Sequence, residues 1–331
     1  MTTTSTPLDI FDLTNQEPSS KVIADSITED GWRLITVQET FWRPVLAERN
    51  THCVQAKNSA SSRARSVHKV LAELHESLAL PLSWPREQKG MQGGEEFSGD
   101  DLDEMKTLWV EHAKSALATA ERLVDMGLHK SVVNRLLEPY SMHTAVTTAT
   151  AWDNYLFQRV DADAQPEIRA VALLTEQALR GSVPRVLQDG EWHLPYIQSE
   201  DWEAMRDRNY GDLDKLGKSM YPDMVKISAA RVARTSYLTQ EGKRDVGEDL
   251  GLYDRLFTNR IEEGKPVHWS PLEQVATPAS WNRQEGAWAV PGLDGETNLF
   301  PVEHLPRIGK YTGWISLRHI EEARTGMVTY R

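Results

Sequence analysis

A single cysteine, Cys53, stands in a chain of 331 residues, which excludes an internal disulfide and any cluster of thiolates around a metal. No apolar run approaches the roughly 20 residues that a membrane-spanning helix needs. The Thr- and Ser-rich start, Met1 to Thr6, lacks the basic-then-apolar layout of a secretory signal. Cytoplasm is therefore the expected compartment, and no membrane partner is expected. Positive charge is in deficit: 37 Lys plus Arg face 49 Asp plus Glu, a net charge of -12. That balance opposes attraction to the phosphates of long nucleic acids, yet it leaves room for a nucleotide-sized anion in a local Arg pocket. The ten His form no His-Glu-x-x-His pattern, so nothing argues for a metal.

What is present suits a globular domain, since 40% of residues are hydrophobic. Residues 1–21 are polar and without period, and read as a flexible arm. The remainder, 22–331, reads as one domain in three parts: 22–181, an aromatic and acidic excursion or lid over 182–222, and 223–331. Asp100 and Asp101 can cap a helix that carries Met105, Leu108, Trp109, Ala116, Ala120, Leu123 and Val124 at helical spacing and ends at Gly127. A second helix runs from Pro166 to Arg180, with Ile168, Val171, Ala172 and Leu179 inward and Gly181 as terminator. Ile227 to Tyr237 reads as a small-residue helix and Asp245 to Phe257 as an acidic one, while 277–331 reads as loops and short strands. Both long helices are core elements on this pattern. The loop Trp84 to Gly94 combines Pro and Gly punctuation with residues able to stack or hydrogen-bond.

Four separated blocks hold the residues that bind anions and heterocycles. The first is Thr51-His52-Cys53-Val54-Gln55-Ala56-Lys57-Asn58-Ser59-Ala60-Ser61-Ser62-Arg63. The second contains Asn134-Arg135-Leu136-Leu137-Glu138-Pro139, then Asn154 to Arg159, then Ala164-Gln165-Pro166-Glu167-Ile168. The third is Ala233-Arg234-Thr235-Ser236-Tyr237 and the fourth His268-Trp269-Ser270-Pro271-Leu272-Glu273-Gln274. Planar guanidinium forks suit phosphate, and hydroxyl, carboxylate and imidazole groups suit a large cofactor. Any one of these arginines alone reads as an ordinary ion pair, so the weight lies in their joint placement.

Together the blocks resemble the flavin-dependent thymidylate synthases, whose signature Arg-His-Arg-x-x-Ser-x-Asn-x-x-Ser-x-Arg-Tyr is matched at His52, Asn58, Ser61 and Arg63. In that family the third and fourth blocks ordinarily precede the first, so the chain resembles a permuted form of the kind found in bacteriophages, which would place it in a host cytoplasm. The resemblance implies an α+β fold with long helices packed on a mostly antiparallel sheet, and a homotetramer with shared active sites. It implies FAD as cofactor, with methylenetetrahydrofolate and NADPH as co-substrates, and C5 methylation or hydroxymethylation of a pyrimidine deoxynucleotide, dUMP favoured and dCMP possible. By position, Asn58, Ser61, Arg63 and Arg135 would hold the nucleotide, and Arg159 would orient its pyrimidine. His52, Asn154, Arg234, Ser236, Ser270 and Glu273 would serve the cofactor, with His268 and Arg159 at the chemistry.

The match has gaps. Thr51 and Cys53 stand where the family has arginines, Ala56 replaces a Ser, Gln274 replaces a His, and Thr148-Ala149-Thr150 replaces an Asn-x-Arg. Each charged hydrogen bond lost to a bound anion costs about 1.5 to 3 kcal/mol. Arg234, Lys57 or the Arg86 to Lys89 loop are available to compensate. A catalytically inert nucleotide- or flavin-binding protein is the alternative that these losses support.

Overall fold

The computed structural model describes residues 14–209, 220–240, 242, 244–282, 287–291, 297–301 and 310–325. At its centre lie five strands: β1 (Ser19–Thr28), β2 (Arg33–Trp42), β3 (Ala56–Ser59), β4 (Met142–Ala149) and β5 (Arg185–Leu187). Their order is β3-β4-β2-β1-β5. Only β5 joins its neighbour in parallel; the other pairings are antiparallel. The expected α+β architecture is the one observed. The hairpin between β1 and β2 turns at Gly31, φ 89°, a conformation that glycine reaches without a Cβ clash.

Alternation along β2 assigns its two faces. Ile35, Val37 and Phe41 pack against Ile168, Val171, Ala172 and Leu179 of the helix Pro166–Gly181. Burying each such side chain contributes about 1.5–3 kcal/mol. The alternate residues Thr36, Gln38 and Thr40 are not apolar, yet Thr36 is fully buried and Gln38 nearly so. Their face is covered by the helix Tyr221–Arg234 and the segment around Tyr196, which meet at Val146 and Val232. Cross-strand threonines satisfy one another there: the Thr36 and Thr148 hydroxyls lie 2.7 Å apart and those of Thr40 and Thr144 3.0 Å.

The helix Asp100–Asp125 packs with Val67–Glu76 and Lys130–Leu136 into a separate core. Its buried positions are Val110, Ala113, Leu117 and Ala120, and the expected Trp109, Ala116, Leu123 and Val124 pack partly buried against the same core, while Leu108 is 58% exposed. A third core joins Tyr221–Arg234, Val246–Tyr253, Ser270–Glu273 and Leu317–Thr325. The last of these is a helix inside a region expected to hold loops and strands. It is short, and Leu317 and Ile320 are the only apolar residues that mark its buried side.

Two boundary expectations change. The sheet begins at Ser19, and Thr14–Asn15 pairs with Ser77–Leu78, so the described end of the supposed arm is part of the fold; residues 1–13 lie outside the described residues. Of the supposed lid, 210–219 also lie outside them. Its described part is woven into the interior: β5 extends the sheet, and Trp192, His193 and Tyr196 are buried. Arg231, 2% exposed, ties it down by bonding Asp201 at 2.7 Å and Asp249 at 2.8 Å.

Candidate active site

β3 is where the motif blocks meet. Asn58 is buried on it and donates its amide to the Val232 carbonyl at 2.8 Å, next to the third block. Its Oδ1 accepts from Ser270 Oγ at 2.7 Å, in the fourth. Because the Ser270 proton is committed to Asn58, the 2.9 Å contact between Ser270 Oγ and His268 Nδ1 requires His268 to be the donor. Exposed His268 therefore keeps Nε2 as its basic nitrogen. Beyond the strand, the Ser61 N–H donates to the Ser236 carbonyl at 3.1 Å. The Asn134 amide donates to the Ser62 carbonyl at 2.8 Å, which brings in the second block.

Before the strand, buried His52 accepts at Nε2 from Arg159 Nε at 3.0 Å. Arg159 also donates to Thr51 Oγ1 at 3.2 Å and the Glu48 carbonyl at 3.4 Å, all neutral acceptors. Burial, together with the nearby Arg49, Arg159 and Lys57 cations, lowers the His52 imidazole to about 4. Lys57 Nζ donates to the His52 carbonyl at 2.6 Å, and burial followed by Arg49 lowers its ammonium to about 7. Lys57 thus joins Arg159 as a cation bonded to neutral groups. Behind them, Arg49 and Glu39 form a fully buried pair at 2.7 Å.

The other expected residues are placed as follows. Arg63 and Arg135 are exposed beyond the far end of β3, and Arg135 approaches Glu138 at 3.6 Å. The four-residue strand lies between the segment that holds Arg159, at His52, and the segment next to Arg63 and Arg135, at Ser62. Arg234 is occupied with Asp249 at 2.7 Å. Asn154 is exposed and accepts from Gln158. Glu273 is buried and pairs with Arg318 at 2.6 Å and Lys310 at 3.8 Å. Arg43 and Arg65, absent from the sequence-level site, line a small cavity with Ser62 and Glu138. Their signal was weak because neither falls inside a motif.

Gln274, a departure from the family pattern, ends a buried relay. Its Nε2 donates to the Ser270 carbonyl at 3.2 Å, so Oε1 faces Thr148 and accepts its hydroxyl at 2.6 Å. Thr148 must then accept from Thr36 at 2.7 Å, Thr36 from His193 Nε2–H at 2.7 Å, and His193 Nδ1 from Ser26 at 2.9 Å. The relay needs a neutral imidazole, and burial holds His193 down at about 3. His143, also lowered to about 3 by burial and Arg43, accepts from Arg43 at 2.7 Å. Both bind a proton more readily in the unfolded chain, so their contribution to stability is intact above about pH 6.5 and is lost as pH falls towards 3. Denaturant titrations at pH 7 and pH 5 should show lower stability at pH 5, by up to about 1.4 kcal/mol per pH unit for each such group. His193→Gln should flatten that dependence; an unchanged slope would refute the neutral relay.

No family model and no curated protein matches the chain. Among solved structures it is similar to the UMP/dUMP methylase PolB from Streptomyces cacaoi. The structure bound with 5-Br UMP is 14% identical with a TM-score of 0.43, and that bound with 5-Br dUMP is 16% identical with a TM-score of 0.41. Each covers 51% of this chain and 91% of that chain.

Proposed function

We propose that the chain is a flavin-dependent enzyme that methylates or hydroxymethylates C5 of a pyrimidine deoxynucleotide, dUMP before dCMP. The observation that carries this reading is the Asn58–Ser270 hydrogen bond at 2.7 Å across 212 positions of sequence. It joins blocks that the permuted order separates, and the Ser61–Ser236 and Arg159–His52 bonds join the others. Surface proximity of termini makes such a permutation compatible with one site.

The residues present fit a flavin dinucleotide. Arg159 and Lys57 offer charge unspent on carboxylates, and Ser270 with His268 adds hydroxyl and imidazole groups for its polar edges. Lys57 stands in the same block as Thr51 and Cys53, where the family has arginines. When bound, reduced flavin supplies the hydride, and NADPH and methylenetetrahydrofolate are the co-substrates. The protein's part is positioning and electrostatics. Neutral His52 fixes the Arg159 fork, whose remaining donor capacity orients the pyrimidine carbonyls. Exposed Arg63 and Arg135, with Ser61 between the blocks, receive the phosphate. Because these groups lie at opposite ends of β3, a neighbouring copy in a homo-oligomer, a tetramer by the family resemblance, completes each site.

Mass spectrometry of dUMP and dCMP, incubated separately with FAD, NADPH and methylenetetrahydrofolate, tests the reading. A product about 14 mass units heavier for methylation, or about 30 for hydroxymethylation, each one carbon group, is expected from one of them and should vanish in His268→Ala. Flavin binding without any product would favour the inert binding protein that Thr51 and Cys53 suggest. Protein that binds no flavin from excess FAD would exclude the flavin enzyme and leave only the nucleotide-binding form of the inert alternative.

A further inference from the structure

A cavity of about 510 Å³ lies away from the motif residues of β3. One wall is Trp42, Val45 and Trp109; another is Asp163 to Glu167, at the start of the helix that supports the sheet. The Trp42 ring is anchored by its indole N–H on the Leu80 carbonyl at 2.8 Å. Trp109 stands edge-on to Trp84 with ring centroids 5.8 Å apart.

The loop singled out by its composition forms the third wall, and it is ordered as a hairpin. Arg86 N–H donates to the Glu95 carbonyl at 2.8 Å, Gly94 N–H to the Arg86 carbonyl at 2.8 Å, and Phe97 N–H to the Trp84 carbonyl at 2.9 Å. Gly93 is required by this packing, since a Cβ there would lie 2.3 Å from Pro85 Cγ. Of the hairpin's two cations, Arg86 is spent internally, its guanidinium 4.1 Å over the Phe97 ring, and Lys89 is not among the residues that line the cavity. At the tip, Met91 lines the cavity and is fully exposed.

Charge decides what enters. Glu96, Asp163 and Glu167 line the cavity, and no Lys, Arg or His does. Glu167 is 6% exposed, and the partner shown for its carboxylate is the neutral Leu82 N–H at 2.8 Å. A phosphate would meet carboxylates without a countercharge, whereas a flat ring with amino groups gains aromatic contact and N–H donation to carboxylate. The volume suits a ligand of nucleoside size.

We infer that this cavity binds a flat, phosphate-free amino-heterocycle, held between the tryptophan wall and the Trp84 to Gly94 hairpin with its N–H groups on Glu167. The inference uses none of the β3 residues, although the wall Ala164 to Glu167 belongs to the second motif block. The probe is 2-aminopurine riboside, titrated into the full chain and followed by its own fluorescence. Saturable quenching is expected, and Arg159→Ala should leave it unchanged. Glu167→Gln should weaken binding about tenfold or more, the scale of a lost charged hydrogen bond. Asp163→Lys, at an exposed position, should weaken it as well without disturbing the interior. The 5′-monophosphate of the same nucleoside should displace bound riboside at least tenfold less well, a ratio worth about 1.4 kcal/mol. Absence of saturation, equal displacement by the monophosphate, or wild-type binding by folded Asp163→Lys and Glu167→Gln would each overturn the assignment.

Discussion

Arg159→Ala is expected to lower product formation from the preferred pyrimidine nucleotide by roughly a hundredfold or more, the scale seen when a preorganised donor is removed from a developing charge. The structure shows why the effect should exceed that of a surface arginine. Its fork is aimed by His52 Nε2 at 3.0 Å and Thr51 Oγ1 at 3.2 Å, so its orientation is fixed before any ligand arrives. Lysine at this position should restore little, because an ammonium lacks the planar fork. A second readout separates this role from folding. Arg159 is one of the cations that lower the His52 imidazole to about 4, so its removal should raise the His52 titration midpoint, measurable by NMR in the full chain. Unchanged turnover in a folded variant would remove Arg159 from the site.

The second large effect concerns stability. Arg49 and Glu39 are both without solvent exposure, and their pair is embedded in further contacts. Arg49 Nη1 donates to Gln55 Oε1 at 2.6 Å, Thr147 donates to Glu39 at 2.9 Å, and the guanidinium lies 4.3 Å from the Tyr155 ring centroid. Arg49→Met strands a buried carboxylate and should cost about 3–5 kcal/mol in a denaturant titration. The double variant Arg49→Met with Glu39→Gln should recover much of this, since the uncompensated charge causes most of the loss. Because Arg49 lowers His52 and Lys57 while Glu39 raises them, Arg49→Met alone should raise the proton affinity of both, and the double variant should do so less. A single-variant loss below about 1 kcal/mol would show that the pair is solvated or dispensable.

These two predictions draw on different kinds of legibility. Arg159 and His52 were readable because they fall inside motif blocks with definite spacing, although nothing in one dimension says that they touch. Glu39 and Arg49 were silent, because a charged residue in a strand or short helix reads as solvent-facing unless its partner is known. The helix Pro166–Gly181 was readable from its proline, its apolar spacing and its terminal glycine, all local signals. The faces of β2 were not. Thr36, Gln38 and Thr40 alternate with apolar residues in the pattern of a half-exposed strand, and the structure buries that polar face against Tyr196 and Val232.

The segment 182–209 shows the same limit. Its aromatic and acidic composition suggests an excursion, because Asp201 and the polar residues around Trp192 have no local partners. Arg231 and Arg244 supply those partners for Asp201, and a charge paired in the interior leaves no hydrophobic signature in its neighbours.

By itself, the amino-acid order determined the helices with strong local periodicity, the α+β class implied by the motif resemblance, and the chemical inventory of forks, hydroxyls and imidazoles. Only the tertiary structure decided that Asn58, Ser270 and His268 share one chain of hydrogen bonds, that Arg159 is aimed by His52, and that Arg63 and Arg135 stand at the other end of β3. The physical reason is range. Helix propensity and capping act over a few residues, whereas the direction of a proton in Ser270 or the charge state of His52 depends on groups that are distant in sequence and brought close by the sheet.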